Sequence, residues 1–426
     1  MAEGGTVWRR ALAGSYLYLG LALLLVVGTA VSPDFLTKEN LRNVLQRDSI
    51  IGILAVGMTL VILTAGIDLS VGSLLSLGSV LCAMLVMGRA WNAASYVAVP
   101  VASLAVFLGA AFVTSRLVRL AKLPVALQRV AALVVGLAAA GGAALWFVSL
   151  VSRGFGALAV LICVPLTTCL LGALSGTLIA KCKLQPFIVT LAMMIAAVGL
   201  AKIIAGKGGE VHSLYYRGTG EEAEADEVVE KILARHQRGL APQSFNQMGK
   251  RHLFGGAMPV PALFFLGAVG VAHFLLTRTP FGRYTYAVGG NEEAARLSGV
   301  NVDRVKIAVY AFSGLLSGLA GVLFCAQFDQ GTAAAGSTNE LEAIAAVVIG
   351  GTSLMGGRGR VLGTLVGVLF FAYLRNILNL AGYRSEHQQV VTGLTIVIAV
   401  ILQEGWVARW LRMARARFTR RKEKAQ

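Results

Sequence analysis

Charge is what this chain has least of. Only 14% of its 426 residues are Asp, Glu, Lys or Arg, where an ordinary soluble domain carries about 25%. A soluble protein of this length would need that missing charge to cover its surface, so the composition excludes a soluble globular fold. Cysteine is scarce as well. The five present (Cys82, Cys163, Cys169, Cys182 and Cys325) lie in or at the ends of apolar runs, and none forms a CxxC pair. A cysteine-based metal motif is therefore absent, and small apolar packing is what remains for them. The five histidines, at 212, 236, 252, 273 and 387, are scattered. With no triad, metal cluster or paired-carboxylate site, a membrane-bound enzyme has nothing to work with. GxxxxGK[ST] occurs nowhere. Gly206-Lys207-Gly208-Gly209 is not a phosphate loop, and Gly357-Arg358-Gly359 lacks the preceding soluble βαβ pattern of a dinucleotide site. The chain is expected to hold no cofactor and no ATP site of its own.

Long hydrophobic runs stand where the charge is missing. Hydrophobic residues make up 56% of the sequence. Runs at 15–32, 46–65, 71–88, 95–115, 127–151, 156–180, 185–204, 258–277, 305–326, 341–356, 359–381 and 387–405 approach the ~20 residues a helix needs to cross a bilayer. The expected fold is an all-α polytopic membrane protein with about twelve transmembrane segments, some short or broken. The first 32 residues imitate a signal peptide, with Arg9 and Arg10 ahead of an apolar stretch, but the segment count requires them as a retained first span.

The net charge is +17, and its location argues against nucleic acid. The bases cluster between apolar runs (Arg116, Arg119, Lys122 and Arg129; Lys181 and Lys183; Arg278 to Lys306; Arg358 and Arg360) and in the tail 406–426. This positive-inside pattern puts both termini in the cytosol. The tail is placed to touch anionic membrane lipid or a cytosolic partner.

Asp68 is the single charge between Ile50 and Gly88. An ionisable group at membrane depth is costly and usually faces a polar path or a cap. Three readings stay open for it. It caps the helix that starts at Val71, it lines a substrate path with Thr64, Ser70 and Ser73, or it couples protons in a secondary transporter. A second glycine- and hydroxyl-rich break, Gly350 to Gly357, offers Thr352 and Ser353. Both breaks free backbone groups that must be buried in protein or face a wet cavity. GxxxG spacing at Gly359, Gly363 and Gly367, and small residues at Ser313, Ser317 and Gly321, let helices approach closely. The segment 205–256, placed outside by the topology, reads as a surface flap or as a dock for an external partner.

The connection 278–304 carries the sharpest local signal. Asn291 can cap a short helix, with Glu292 and Glu293 in its first turn, Arg296 near its last turn and Gly299 just past its end. Each choice suits the helix dipole or the end geometry.

Arg278 to Arg304, Thr64 to Ser73, Pro186 to Leu191 and Leu341 to Gly357 together resemble the permease subunits of ribose- and xylose-type ABC sugar importers. The resemblance covers most of the chain, in order. It implies a bacterial inner-membrane protein with a family core of about ten spans. It also implies a second copy of the chain, a pair of cytosolic ABC ATPase domains (possibly tandem-fused) that hold ATP and Mg, and a periplasmic sugar-binding protein. By the same resemblance, Asn291, Glu292, Glu293, Ala294, Ala295, Arg296 and Gly299 carry over as the helix that couples to the ATPase. Two stretches depart from the family: an inserted helix pair at 95–151 and a longer, more charged external loop at 205–256. A permease for a nucleoside or an autoinducer-like furanose, or an ATP-independent secondary transporter, is the alternative.

Overall fold

The structure is a computed structural model that describes residues 4–87, 93–120, 124–151, 156–206, 212–214, 241–253, 256 and 258–403. The expected helix at 221–237 and the tail 406–426 lie outside the described residues. Helices dominate: α1 (Gly4–Val31), α2 (Lys38–Leu63), α3 (Val71–Met87), α4 (Ala93–Leu120), α5 (Val125–Val151), α6 (Ala157–Lys181), α7 (Pro186–Ala205), α8 (Gln243–Lys250), α9 (Val260–Arg278), α10 (Pro280–Gly290), α11 (Glu292–Leu297), α12 (Val302–Phe328), α13 (Asn339–Ile349), α14 (Val361–Leu380) and α15 (Ser385–Gln403). Sequence reasoning did not anticipate two small antiparallel pairs, β1 (His212–Ser213) with β4 (Gln330–Gly331) and β2 (His252–Leu253) with β3 (Met258–Pro259).

The chain is a multi-pass, all-α membrane protein. Eight of the described helices are long and apolar enough to cross a membrane, and Tyr18–Val31 and Val71–Met87 are shorter apolar helices. The run expected to span 341–356 is not one helix. α13 ends at Ile349 and residues 350–360 are non-helical, because Gly351, Gly356 and Gly357 take the left-handed backbone that glycine tolerates.

The core forms where α12 packs against α6, α3 and α2. Small residues allow the approach: a Cβ on Gly172 would collide with the Tyr310 carbonyl, and one on Gly314 with that of Thr168. Likewise α14 lies against α13 because Gly363 and Gly367 leave room for the carbonyls of Gly350 and Ala346. The α14 face is the one that the GxxxG spacing anticipates, while on α12 the anticipated Ser313 and Gly321 lie against Gly57 of α2 and Leu75 of α3. α2 is central, with 78% of its most apolar window buried, against 7% and 6% in α4 and α5. That helix pair packs on itself and reaches the rest through α6, which makes it peripheral.

The described part of the 205–256 loop folds over one end of α12. α8 turns Phe245 and Met248 inward, β1 pairs with β4, and Lys250 forms an ion pair with Asp329 just past the end of α12.

Candidate functional site

α11 is a six-residue helix, capped at both ends. The Asn291 side chain accepts from the Ala294 N–H at 2.9 Å. At the other end Gly299 takes φ +85°. The Val300 N–H donates to the Ala295 carbonyl at 3.0 Å and the Gly299 N–H to that of Arg296 at 3.0 Å. This is the Schellman arrangement, which satisfies carbonyls that a helix end otherwise leaves unbonded. Glu292 bonds Lys306 at 2.7 Å, and Arg296 bonds Asp303 at 3.2 Å. Both bridges tie α11 to the start of α12. Ala295 is buried, while Glu293 and Ala294 are exposed and Leu297 is 84% exposed. The helix is thus stiff, fixed to its neighbour, and open on its outer face.

The two helix breaks meet at the base of α11. The Gly357 N–H donates to the Leu63 carbonyl at 3.0 Å, which joins the second break to the end of α2. Gly289, near the end of α10, lies so close to both that a Cβ there would collide with the Leu63 carbonyl and the Gly357 nitrogen. Tyr286 of α10 donates to the Gly359 carbonyl at 2.9 Å. Burial raises the Tyr286 pKa, with Arg360 opposing, so the phenol remains a donor at neutral pH. One junction therefore contains the ends of α2, α10 and α13 and the start of α14, with α11 immediately after it in the chain.

Asp68 is 1% exposed. One carboxylate oxygen accepts from the Ser70 N–H at 3.0 Å and the Ser70 hydroxyl at 2.6 Å; the other accepts from the Ser313 hydroxyl on α12 at 2.8 Å. The cap proper is Ser70, whose carbonyl receives the Leu74 N–H at 2.8 Å and the Ser73 hydroxyl at 2.8 Å. Asp68 sits two residues before that cap, in an Asx-type turn. All the groups bonded to Asp68 are hydroxyl or amide donors, and its own carboxylate is fully engaged. The geometry favours a latch between the break and α12. Beside it, Gly66 is pressed against the Tyr310 hydroxyl, which has no hydrogen-bond partner among the described residues.

The other expected path residues divide. Thr64 is buried and donates to the Val61 carbonyl at 2.8 Å. Thr352 is fully buried, and Ser353 is half-buried and accepts from the Met355 N–H at 3.3 Å. Ser73 lines a cavity of about 350 Å³ between α3, α7 and residues 333–340.

Sequence reasoning missed Arg375. It is half-buried on α14 and forms ion pairs with Asp48 of α2 and Glu342 of α13. Next to it, Asn40 and Asn376 exchange side-chain hydrogen bonds at 2.9 and 2.8 Å. A lone base inside an expected span was the available signal.

Comparison with known proteins agrees with this architecture. A family model described as "Branched-chain amino acid transport system / permease component" matches residues 128–400. The ribose import permease protein of Bacillus subtilis is 37% identical over 386 residues, covering 90% of this chain and 91% of that protein. The ribose import permease protein of Escherichia coli is 36% identical over 385 residues, with 90% and 91% covered. The chain belongs to the permease family of ribose- and xylose-type ABC sugar importers. The xylose transport system permease protein of Escherichia coli extends the set, at 31% identity over 411 residues with 89% and 88% covered. No solved structure matches the chain. This permease is therefore a multi-pass membrane component of a bacterial importer, in a family whose partner supplies the ATPase.

Proposed function

We propose that this permease imports a monosaccharide, of the ribose or xylose kind, across the inner membrane, driven by ATP hydrolysed with Mg on a partner ATPase. The relatives' names support the sugar, although the family model's description names branched-chain amino acids. The observation that carries the mechanism is the doubly capped, outward-facing α11, tied to α12 and to the junction of both helix breaks. Force applied to Glu293, Ala294 or Leu297 by a docked ATPase reaches α12 through the Glu292–Lys306 and Arg296–Asp303 bridges. From α12 it reaches α3 through Ser313 and Asp68. Such a stiff two-state connection is what coupling between distant sites requires.

In this reading the chain has about twelve spans with both termini inside. The inserted pair expected at 95–151, which α4 and α5 supply, faces lipid, as their exposure supports. Segment 205–256 receives a periplasmic sugar-binding protein, and the basic tail 406–426 meets anionic lipid. A second copy of the chain covers the apolar face that α7 leaves open at Ile188 and Ile203, each more than half exposed. The test is reconstitution of the permease with its ATPase and binding protein in proteoliposomes, scored for ATP-dependent uptake of ribose, xylose and leucine. Uptake of leucine alone, or of sugar without ATP, would overturn the proposal.

A further inference from the structure

We propose that the cavity between α3, α7 and the strap formed by residues 332–341 is a transit pocket for a neutral, polyhydroxylated ring of pentose or hexose size. The proposal rests on the monosaccharide reading above. At about 350 Å³, the cavity lies near the lower end of the about 300–1,000 Å³ typical of small-molecule pockets.

Its two walls differ in chemistry. One carries Ser73, Ser76, Ser337, Thr338 and Glu340; the other is the aliphatic face of Met194, Ile195 and Val198. A sugar ring matches that division, with hydroxyls at its rim and C–H groups on its faces. The Ser73 hydroxyl spends its proton on the Ser70 carbonyl, and Ser76 donates to that of Gly72. The Ser73 oxygen is thereby left as an acceptor for a hydroxyl-rich ligand, whereas Ser76 also accepts from the Gly336 N–H and so holds the wall together.

Glu340 is the decisive group. Three acids lie in the 327–342 stretch. Asp329 is matched by Lys250 and Glu342 by Arg375. Glu340 is half-buried, lines the cavity, and has no cation placed against it by the described residues. A carboxylate accepts from two hydroxyls at once, and such charge-assisted bonds are the stronger kind.

The strap is also held in place. Ser79 bonds the Thr332 carbonyl at 3.1 Å, and the Gly336 N–H donates to Ser76 at 2.9 Å. Gly72 and Gly336 abut so closely that a Cβ on Gly72 would collide with the Glu340 carboxylate. α3 therefore sets the position of Glu340, and α3 is the helix that Asp68 latches to α12. The lining holds no aromatic side chain, hence no stacking platform. The hold is weak, as suits a pocket that must hand its ligand on.

The experiment uses the complete importer in proteoliposomes. It measures ribose and xylose uptake and ATP hydrolysis stimulated by the loaded binding protein, for wild type, Glu340→Gln and Ser337→Phe. Glu340→Gln keeps the shape and loses the charge-assisted acceptor; Ser337→Phe fills the pocket from an exposed position, so neither threatens the fold. The expected result is uptake lowered about tenfold, the size of one lost charged hydrogen bond, with stimulated ATP hydrolysis near wild type. Glu340→Gln should also change the ribose-to-xylose ratio. Unchanged uptake and ratio in both variants overturn the pocket while leaving the permease reading intact. A parallel fall in uptake and ATP hydrolysis also overturns it, by assigning Glu340 to assembly. Wild-type importer that moves neither sugar overturns the monosaccharide reading itself.

Discussion

Asp68→Ala tests the latch most directly. The substitution removes two things. The first is the turn pairing in which the carboxylate accepts from the Ser70 N–H at 3.0 Å and the Ser70 hydroxyl at 2.6 Å, comparable to a helix cap and worth about 0.5–2 kcal/mol. The second is the tie to Ser313 at 2.8 Å, a bond to a charged group worth about 1.5–3 kcal/mol. Together they predict a loss of roughly 2–5 kcal/mol. Ser313→Ala removes only the tie. The double variant should therefore cost less than the sum of the singles, with a coupling of roughly 1–3 kcal/mol between residues in contact. The assay is thermal denaturation of the purified permease in detergent for all four proteins, alongside uptake by the reconstituted importer. Additive losses, with no coupling, would refute the latch. A purely kinetic defect at wild-type stability would return Asp68 to the substrate path.

Glu293→Lys should leave insertion and stability unchanged, because Glu293 is exposed and joins no ion pair with the described residues; sugar uptake and ATPase coupling should fall by an order of magnitude or more, and normal uptake would sink the lever assignment. Arg375→Met should cost about 3–5 kcal/mol, as removing one member of a buried pair does, since it leaves Asp48 and Glu342 without their cation; adding Asp48→Asn and Glu342→Gln should restore much of the yield in size-exclusion profiles. Gly289→Ala should destabilise the junction by about 1–3 kcal/mol, the scale of overpacking, because the new methyl collides with the Leu63 carbonyl; a melting temperature equal to wild type would show that the junction opens freely.

The capped helix α11 was legible in the sequence because helix ends are local. Asn291, Glu292, Glu293, Arg296 and Gly299 lie within nine residues, and capping acts over three or four positions. The small-residue faces of α12 and α14 were legible for a similar reason, since their spacing is periodic. The Arg375 cluster was not, because its partners stand 327 and 33 positions away, and periodicity carries no information about which distant helices adjoin. The same limit left Asp68 with three roles. Its second partner, Ser313, is 245 residues distant.

By itself, then, the sequence determined the membrane class, the placement of charge and the capped helix α11, all of which follow from composition and short-range spacing. The tertiary structure alone decided that the two helix breaks touch at the base of that helix, and that Asp68 faces Ser313. It also decided that, among the described residues, Asp329 and Glu342 meet a cation and Glu340 does not. Those outcomes depend on which helices become neighbours, and that is set by the packing of the whole chain.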